Sequence, residues 1–112
     1  MSLPPCVFCA IVRGSIPSVT VYQNEHVTVI KDIAPKAPVH LLIVSRVHVP
    51  DVASLQADHS DVAAAMLMVT SQLQNQLTGS RSFRLITNTG IDAGQSVFHL
   101  HFHFLSGKSF QD

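Results

Sequence analysis

The pattern of apolar and polar positions changes period three times along the chain. From Cys6 to Arg13, Val7, Phe8, Ile11 and Val12 share one side at helical spacing, and Gly14 marks a stop, which predicts a short amphipathic helix. Val19 to Tyr22 and Val27 to Ile30 are β-branched runs around Gln23-Asn24-Glu25-His26, a predicted hairpin. Asp32 to Pro38 reads as a loop pinned by Pro35 and Pro38, and His40 to Val44 as a third strand apolar enough to lie centrally in a sheet. After a short turn around Val52 and Leu55 the period returns to that of a helix, with Asp58 as its predicted cap, Leu77 as its end and Gly79 as its stop. Val62, Met66, Val69, Leu73 and Leu77 form one stripe, widened by Ala64, Ala65 and Met68, and core packing is its first reading. Phe83 to Thr87 is a fourth strand.

The sharpest alternation comes last, in His99-Leu100-His101-Phe102-His103-Phe104-Leu105. A period of two predicts a strand with one buried face, placing Leu100, Phe102 and Phe104 in the core and projecting His99, His101 and His103 from the other face. Successive imidazoles on such a face stand roughly 6 to 7 Å apart, close enough to surround one small anion or reacting atom. Near neutral pH one ring can act as nucleophile or base while its neighbour donates a proton. A metal held by His101 and His103 is the competing reading, weakened because Glu25 is the only glutamate and such centres usually include a carboxylate.

Composition narrows the class. The 112 residues amount to one domain, residues 1–112, and a chain of this size buries about two-thirds of its unfolded surface. With seven Lys and Arg against seven Asp and Glu, the net charge is +0, so no global field recruits nucleic acid or an anionic membrane, and neither is an expected partner. The longest apolar run, Val62 to Val69, is too short to span a bilayer. The opening Met-Ser-Leu-Pro-Pro-Cys lacks the charged and apolar regions of a signal peptide, which predicts a cytoplasmic protein.

Since no Lys or Arg lies between Arg84 and Lys108, an anion at the histidine face must be held by imidazoles and by the loop Asn88 to Ser96, where Gly94, Gln95 and Ser96 offer backbone and side-chain donors. Cys6-x-x-Cys9 admits three readings: a redox pair, which lacks a preceding strand, an inert pair, or half of a zinc site completed by His48 and His99. His26 and His59 read as solvated surface residues. His40 is either a satisfied core histidine or a group that orients the row, and Asp32 either a turn former or an acceptor for sugar hydroxyls.

Together these residues resemble the histidine triad (HIT) family. The resemblance rests on the filled His99-to-Leu105 motif, Cys6-Val7-Phe8-Cys9 to Ile16-Pro17-Ser18, Asp32 to His40, Asn88, and Gly94-Gln95-Ser96-Val97-Phe98, in the family's order and spacing. Gly-Gln-Ser before a hydrophobic and an aromatic residue is more similar to the nucleotide-binding (Hint) branch than to the dinucleoside polyphosphate hydrolases. The resemblance implies an α+β protomer with a five-stranded antiparallel sheet, one long and one or two short helices, and a homodimer. It implies a hydrolase acting on a purine nucleotide or nucleotidyl conjugate, typically a nucleoside phosphoramidase, with His101 as nucleophile. His103 would contact phosphate, His40 support the network, and Gln95 and Ser96 bind phosphate and assist the leaving group. Asn88 and Gly94 would lie by the phosphate, Asp32 take the ribose hydroxyls, and Phe8, Ile11 and Ile33 form a slot for the base. A zinc-binding subgroup has ligands matching Cys6, Cys9, His48 and His99, the metal being structural, with no cofactor required for the chemistry. At its C-terminus the sequence departs from that branch, with seven residues after Leu105 where a longer tail is usual. A zinc-stabilised nucleotide-binding module without catalysis is the reading of a different class.

Overall fold

The computed structural model describes residues 6–111; the expectations placed on residues 1–5 and on Asp112 lie outside the described residues. Helix α1, Val7–Arg13, starts on Cys6, whose Sγ accepts the Cys9 N–H, and ends where Gly14 takes φ +82°, a left-handed conformation that costs glycine little. Strands β1, Thr20–Gln23, and β2, Val27–Lys31, form the expected hairpin, turned by Asn24 Oδ1 accepting the amides of His26 and Val27. Strand β3, Val39–Ser45, follows the proline loop. Helix α2 is Ser60–Asn75, β4 is Phe83–Ile86 and β5 is His101–Ser106. All pairings are antiparallel, in the order β1-β2-β3-β5-β4, so β3 and β5 run side by side through the centre, with Val44 facing His101, Leu42 facing His103 and His40 facing Leu105.

This register divides the core between the two faces of the sheet. Phe102 and Phe104 point to the α2 side, where they join Val27, Val29, Ile43, Met66, Val69, Leu73 and Leu100. Phe8 from α1 meets Ile30, Leu42 and Val44 on the other side, beside His101. Phe104 has no exposed surface and stacks on Phe83 at 4.6 Å between centroids. Phe104→Ala is therefore expected to cost about 3–5 kcal/mol, read as a lowered urea midpoint with an unchanged slope. A midpoint within experimental error of wild type would contradict this packing.

Several elements differ from the sequence reading. The long helix is preceded by a 3₁₀ turn, Ala57–His59, and Asp58 is not its cap. The turn is closed by Gln56 and by the His59 ring, whose Nδ1 accepts the Gln56 N–H at 3.0 Å, so His59 has a local structural role. The helix stops at Asn75 because the amides of Gln76 and Leu77 reach back only three residues, to Leu73 and Gln74, tightening the last turn. Ala64 and Met68 face solvent instead of widening the buried stripe. The final strand begins two residues late, because the Leu100 N–H turns to the Val49 carbonyl and the Ser45 carbonyl is taken by the His99 ring, which ends the ladder before His99. Among the described residues no helix is long and apolar enough to cross a membrane.

Candidate active site

The late start of β5 splits the three histidines between two sites. His101 and His103 are half-buried on the α1 face, whereas His99 is turned inward and has no exposed surface, contrary to the expectation of three rings on one face. The His99 main chain still serves the row: its carbonyl accepts a hydrogen bond from His101 Nδ1 at 2.7 Å. A carbonyl can only accept, so Nδ1 carries the His101 proton and the neutral ring presents its Nε2 lone pair away from the main chain. The Phe8 ring meets His101 edge-on at 4.9 Å between centroids, fixing the plane of the imidazole from the opposite side.

His103 is set by a longer chain of bonds. The Lys36 amide donates to His40 Nδ1 at 3.1 Å, so the single proton of a neutral His40 sits on Nε2, 3.0 Å from His103 Nδ1. Donated to His103, that proton makes Nδ1 an acceptor and leaves Nε2 as a donor; Asp32 Oδ2, 3.3 Å from His40 Nε2, is a second acceptor for it. Burial, the largest cause, pushes His40 below the ordinary histidine value, offset in part by Asp32. Burial also lowers His103, reinforced by His101 and His40. For a base whose folded value is depressed, the unfolded chain takes up protons first. Stability is therefore fully present above about pH 6.5 and falls as acid is added below it. The urea midpoint is expected to be lower at pH 5.5 than at pH 7.5, with a smaller difference in His103→Asn; equal midpoints at both pH values would contradict this.

The loops contribute unevenly. Asp32 Oδ1 accepts the Ala34 amide at 2.8 Å, the turn-forming reading, while Oδ2 lies 3.3 Å from His40 Nε2. In the Asn88–Ser96 loop Gly90 and Gly94 take φ of +92° and +98°. Directly after Gly94, Gln95 is buried, its Oε1 accepting from Gly90 N–H at 2.8 Å and its Nε2 donating to the carbonyls of Pro50 and Val97. The expectation that the Gln95 side chain faces phosphate is thus corrected: its amide is spent on the loop, which it holds against the segment after β3. Ser96 is exposed and Asn88 lies beside Gly94. Phe8 and Ile11 share one apolar cluster, but Phe8 is only 6% exposed and Ile33 is wholly exposed, so the three do not form a shared slot here. The carbonyls of Ser45 and His99 and the Lys36 amide leave no trace in residue identity, and sequence reasoning misses them.

Cys6, Cys9, His48 and His99 converge beneath this face, their donor atoms all within 4.8 Å of one another. His48 Nδ1 is 3.1 Å from His99 Nδ1 and 3.2 Å from Cys9 Sγ, and His99 Nδ1 is 3.3 Å from Cys6 Sγ and 3.6 Å from Cys9 Sγ. Tetrahedral zinc bond lengths define nitrogen–nitrogen and nitrogen–sulfur edges of roughly 3.3 to 3.6 Å. The proton pattern also fits a metal, since His99 Nε2–H donates to the Ser45 carbonyl at 2.7 Å and turns the Nδ1 lone pair into the cluster. Burial and the neighbouring Cys6 push the Cys9 thiol above its usual value when no metal is bound. Asp32, His40 and His103 also bring three donors together, but there the Nε2 that a metal would take carries the proton of neutral His40, because Nδ1 is engaged by Lys36.

Residues 5–111 match the family model described as "Scavenger mRNA decapping enzyme C-term binding". The purine nucleoside phosphoramidase of Escherichia coli (strain K12) is 38% identical over 103 residues, covering 91% of this chain and 87% of that protein. Among solved structures, a HIT family hydrolase from Clostridium thermocellum superposes with a TM-score of 0.91 at 38% identity, covering 99% of this chain and 97% of its own. A histidine triad protein from Clostridium difficile superposes with a TM-score of 0.90 at 34% identity, covering 100% and 98%.

Proposed function

The chain belongs to the histidine triad (HIT) family, and from that premise we propose that it is a nucleotide hydrolase cleaving at the α-phosphate of a purine nucleoside phosphoramidate through a nucleotidyl-histidine on His101. The observation that carries the reading is the 2.7 Å hydrogen bond from His101 Nδ1–H to the His99 carbonyl, which leaves Nε2 as the free lone pair. That nitrogen attacks the α-phosphorus, the P–N bond breaks, and the amine leaves with a proton. Water then cleaves the P–N bond to His101 and releases the nucleoside monophosphate. Neutral imidazole needs no strong activation for this step near pH 7.

The neighbouring groups supply position and charge. His103 Nε2–H donates to a non-bridging phosphate oxygen, oriented by His40, and the Lys36 ammonium adds positive potential at both rings. Ser96, exposed at the end of its loop, passes a proton to the leaving amine; Asn88 and the backbone at Gly94 lie by the phosphate. Gln95 acts by holding that loop. Asp32 accepts from the ribose hydroxyls, and Ile33 and Ile11 offer apolar surface to the base. Cys6, Cys9, His48 and His99 bind a structural zinc ion that joins α1 to the start of β5. Leu67 and Met68, 56% and 70% exposed on α2, support a homodimer as its working state.

Zinc-loaded protein is expected to convert adenosine 5′-phosphoramidate to AMP and ammonia with a higher kcat/KM than for a diadenosine polyphosphate. Binding of AMP without turnover of either substrate would overturn the hydrolase reading in favour of a nucleotide-binding module.

A further inference from the structure

Asp32 stands beside the chain of hydrogen bonds that sets His103. His40 has one ring proton, on Nε2, because Nδ1 accepts from the Lys36 amide at 3.1 Å. Two acceptors are within reach of that proton: His103 Nδ1 at 3.0 Å and, to one side, Asp32 Oδ2 at 3.3 Å. The other carboxylate oxygen is committed to the Ala34 amide. The destination of the proton decides what His103 offers to substrate. Donated to His103 Nδ1, it obliges the neutral ring to carry its own proton on Nε2, facing outward as a donor. Drawn to Asp32, it releases Nδ1, and His103 is free to adopt the opposite tautomer, whose Nε2 lone pair repels a phosphate oxygen.

We propose that Asp32 is a positioning residue that couples ribose occupancy to the tautomer of His103 through His40. Ribose hydroxyls donating to Oδ2 remove it as a competitor for the His40 proton, which then commits to His103, and His103 presents Nε2–H to the phosphate. The inference rests on the reading above that Asp32 receives the ribose. It adds that the sugar contributes to turnover and not only to binding. Burial lowers both rings, and Lys36, with His101 beside His103, adds to it against the opposing pull of Asp32; the net effect opposes a second proton on either, so tautomer is the variable left to set. Asp32 is half-buried, 17% exposed at its side chain, open enough to meet a ligand and close enough to sense His40.

The test compares adenosine 5′-phosphoramidate with its 2′,3′-dideoxy analogue on zinc-loaded wild type and Asp32→Asn. In the wild type the dideoxy substrate is expected to lose kcat, by roughly tenfold or more, as well as to raise KM. In Asp32→Asn the amide keeps its oxygen on the Ala34 N–H and turns an N–H toward His40, so no competing acceptor remains. The two kcat values should then converge while KM stays high. A wild-type effect confined to KM, or a kcat ratio that survives in Asp32→Asn, overturns the proposal. Nitrogen-15 spectra of the histidine rings give a readout free of turnover: AMP is expected to shift His103 to the Nε2–H tautomer and 2′,3′-dideoxy-AMP is not. AMP that binds without moving His103 overturns this inference alone. AMP that fails to bind overturns the nucleotide reading, and this inference with it.

Discussion

His101→Ala is expected to lower kcat for adenosine 5′-phosphoramidate by roughly 10⁴-fold or more while leaving the thermal midpoint nearly unchanged. The size follows from the kind of contribution lost. A nucleophile that forms a covalent intermediate cannot be replaced by neighbours that only bind or donate, and no second lone pair is aimed in the same way. With phosphate bound, His103 Nδ1 is taken by His40 and its Nε2 donates to the phosphate; His99 faces the cysteines. The small cost to stability follows from the ring's surroundings: His101 is half-buried, with one hydrogen bond to a main-chain carbonyl and an edge contact to Phe8. His101→Asn serves as the isosteric check, and near-normal turnover by either variant in a preparation free of wild-type enzyme would contradict the assignment.

Removing zinc is expected to lower the thermal midpoint by about 10 °C or more, with Cys9→Ser reproducing most of the loss. The four proposed ligands come from segments far apart in sequence: the cap and first turn of α1, the stretch after β3, and the residue before Leu100. Without the ion their donor atoms still crowd together, but two thiols and two imidazoles at 3.1 to 3.6 Å make a poor polar core once the cysteines are protonated. Loss of activity should accompany loss of stability. The His99 carbonyl that orients His101 belongs to a proposed ligand, and Phe8, which packs on His101, lies in sequence between Cys6 and Cys9. A midpoint unchanged after chelation, with elemental analysis showing the metal gone, would contradict a structural role.

What the sequence reveals and what it hides divide along physical lines. The alternation in β5 is legible because Phe102 and Phe104 must pack against α2 whatever their neighbours do, which sends His101 and His103 to the other face. Gly14 is legible as a stop because its left-handed φ suits glycine; Cys6-x-x-Cys9 alone leaves three readings open, and the fold brings both thiols together with His48 and His99. His99 continues the alternation in letters but not in space, because the Leu100 N–H turns to the Val49 carbonyl and the His99 ring takes the Ser45 carbonyl, which ends the ladder before it. Gln95 belongs to a motif that invites a phosphate role, yet its amide finds three main-chain partners contributed by segments that only the fold brings near. The helix ends shift for a similar reason: Gln56 and His59 close the first turn between themselves, which leaves Asp58 no role in capping.

The central claim is covalent catalysis at His101, and the direct measurement is the intact mass of the wild-type protein, quenched rapidly and without acid during turnover of adenosine 5′-phosphoramidate. The account predicts a species heavier by one adenylyl group, mapped to His101 by fragmentation and absent from His101→Ala. Turnover with no such species, or an adduct on another residue, would contradict it.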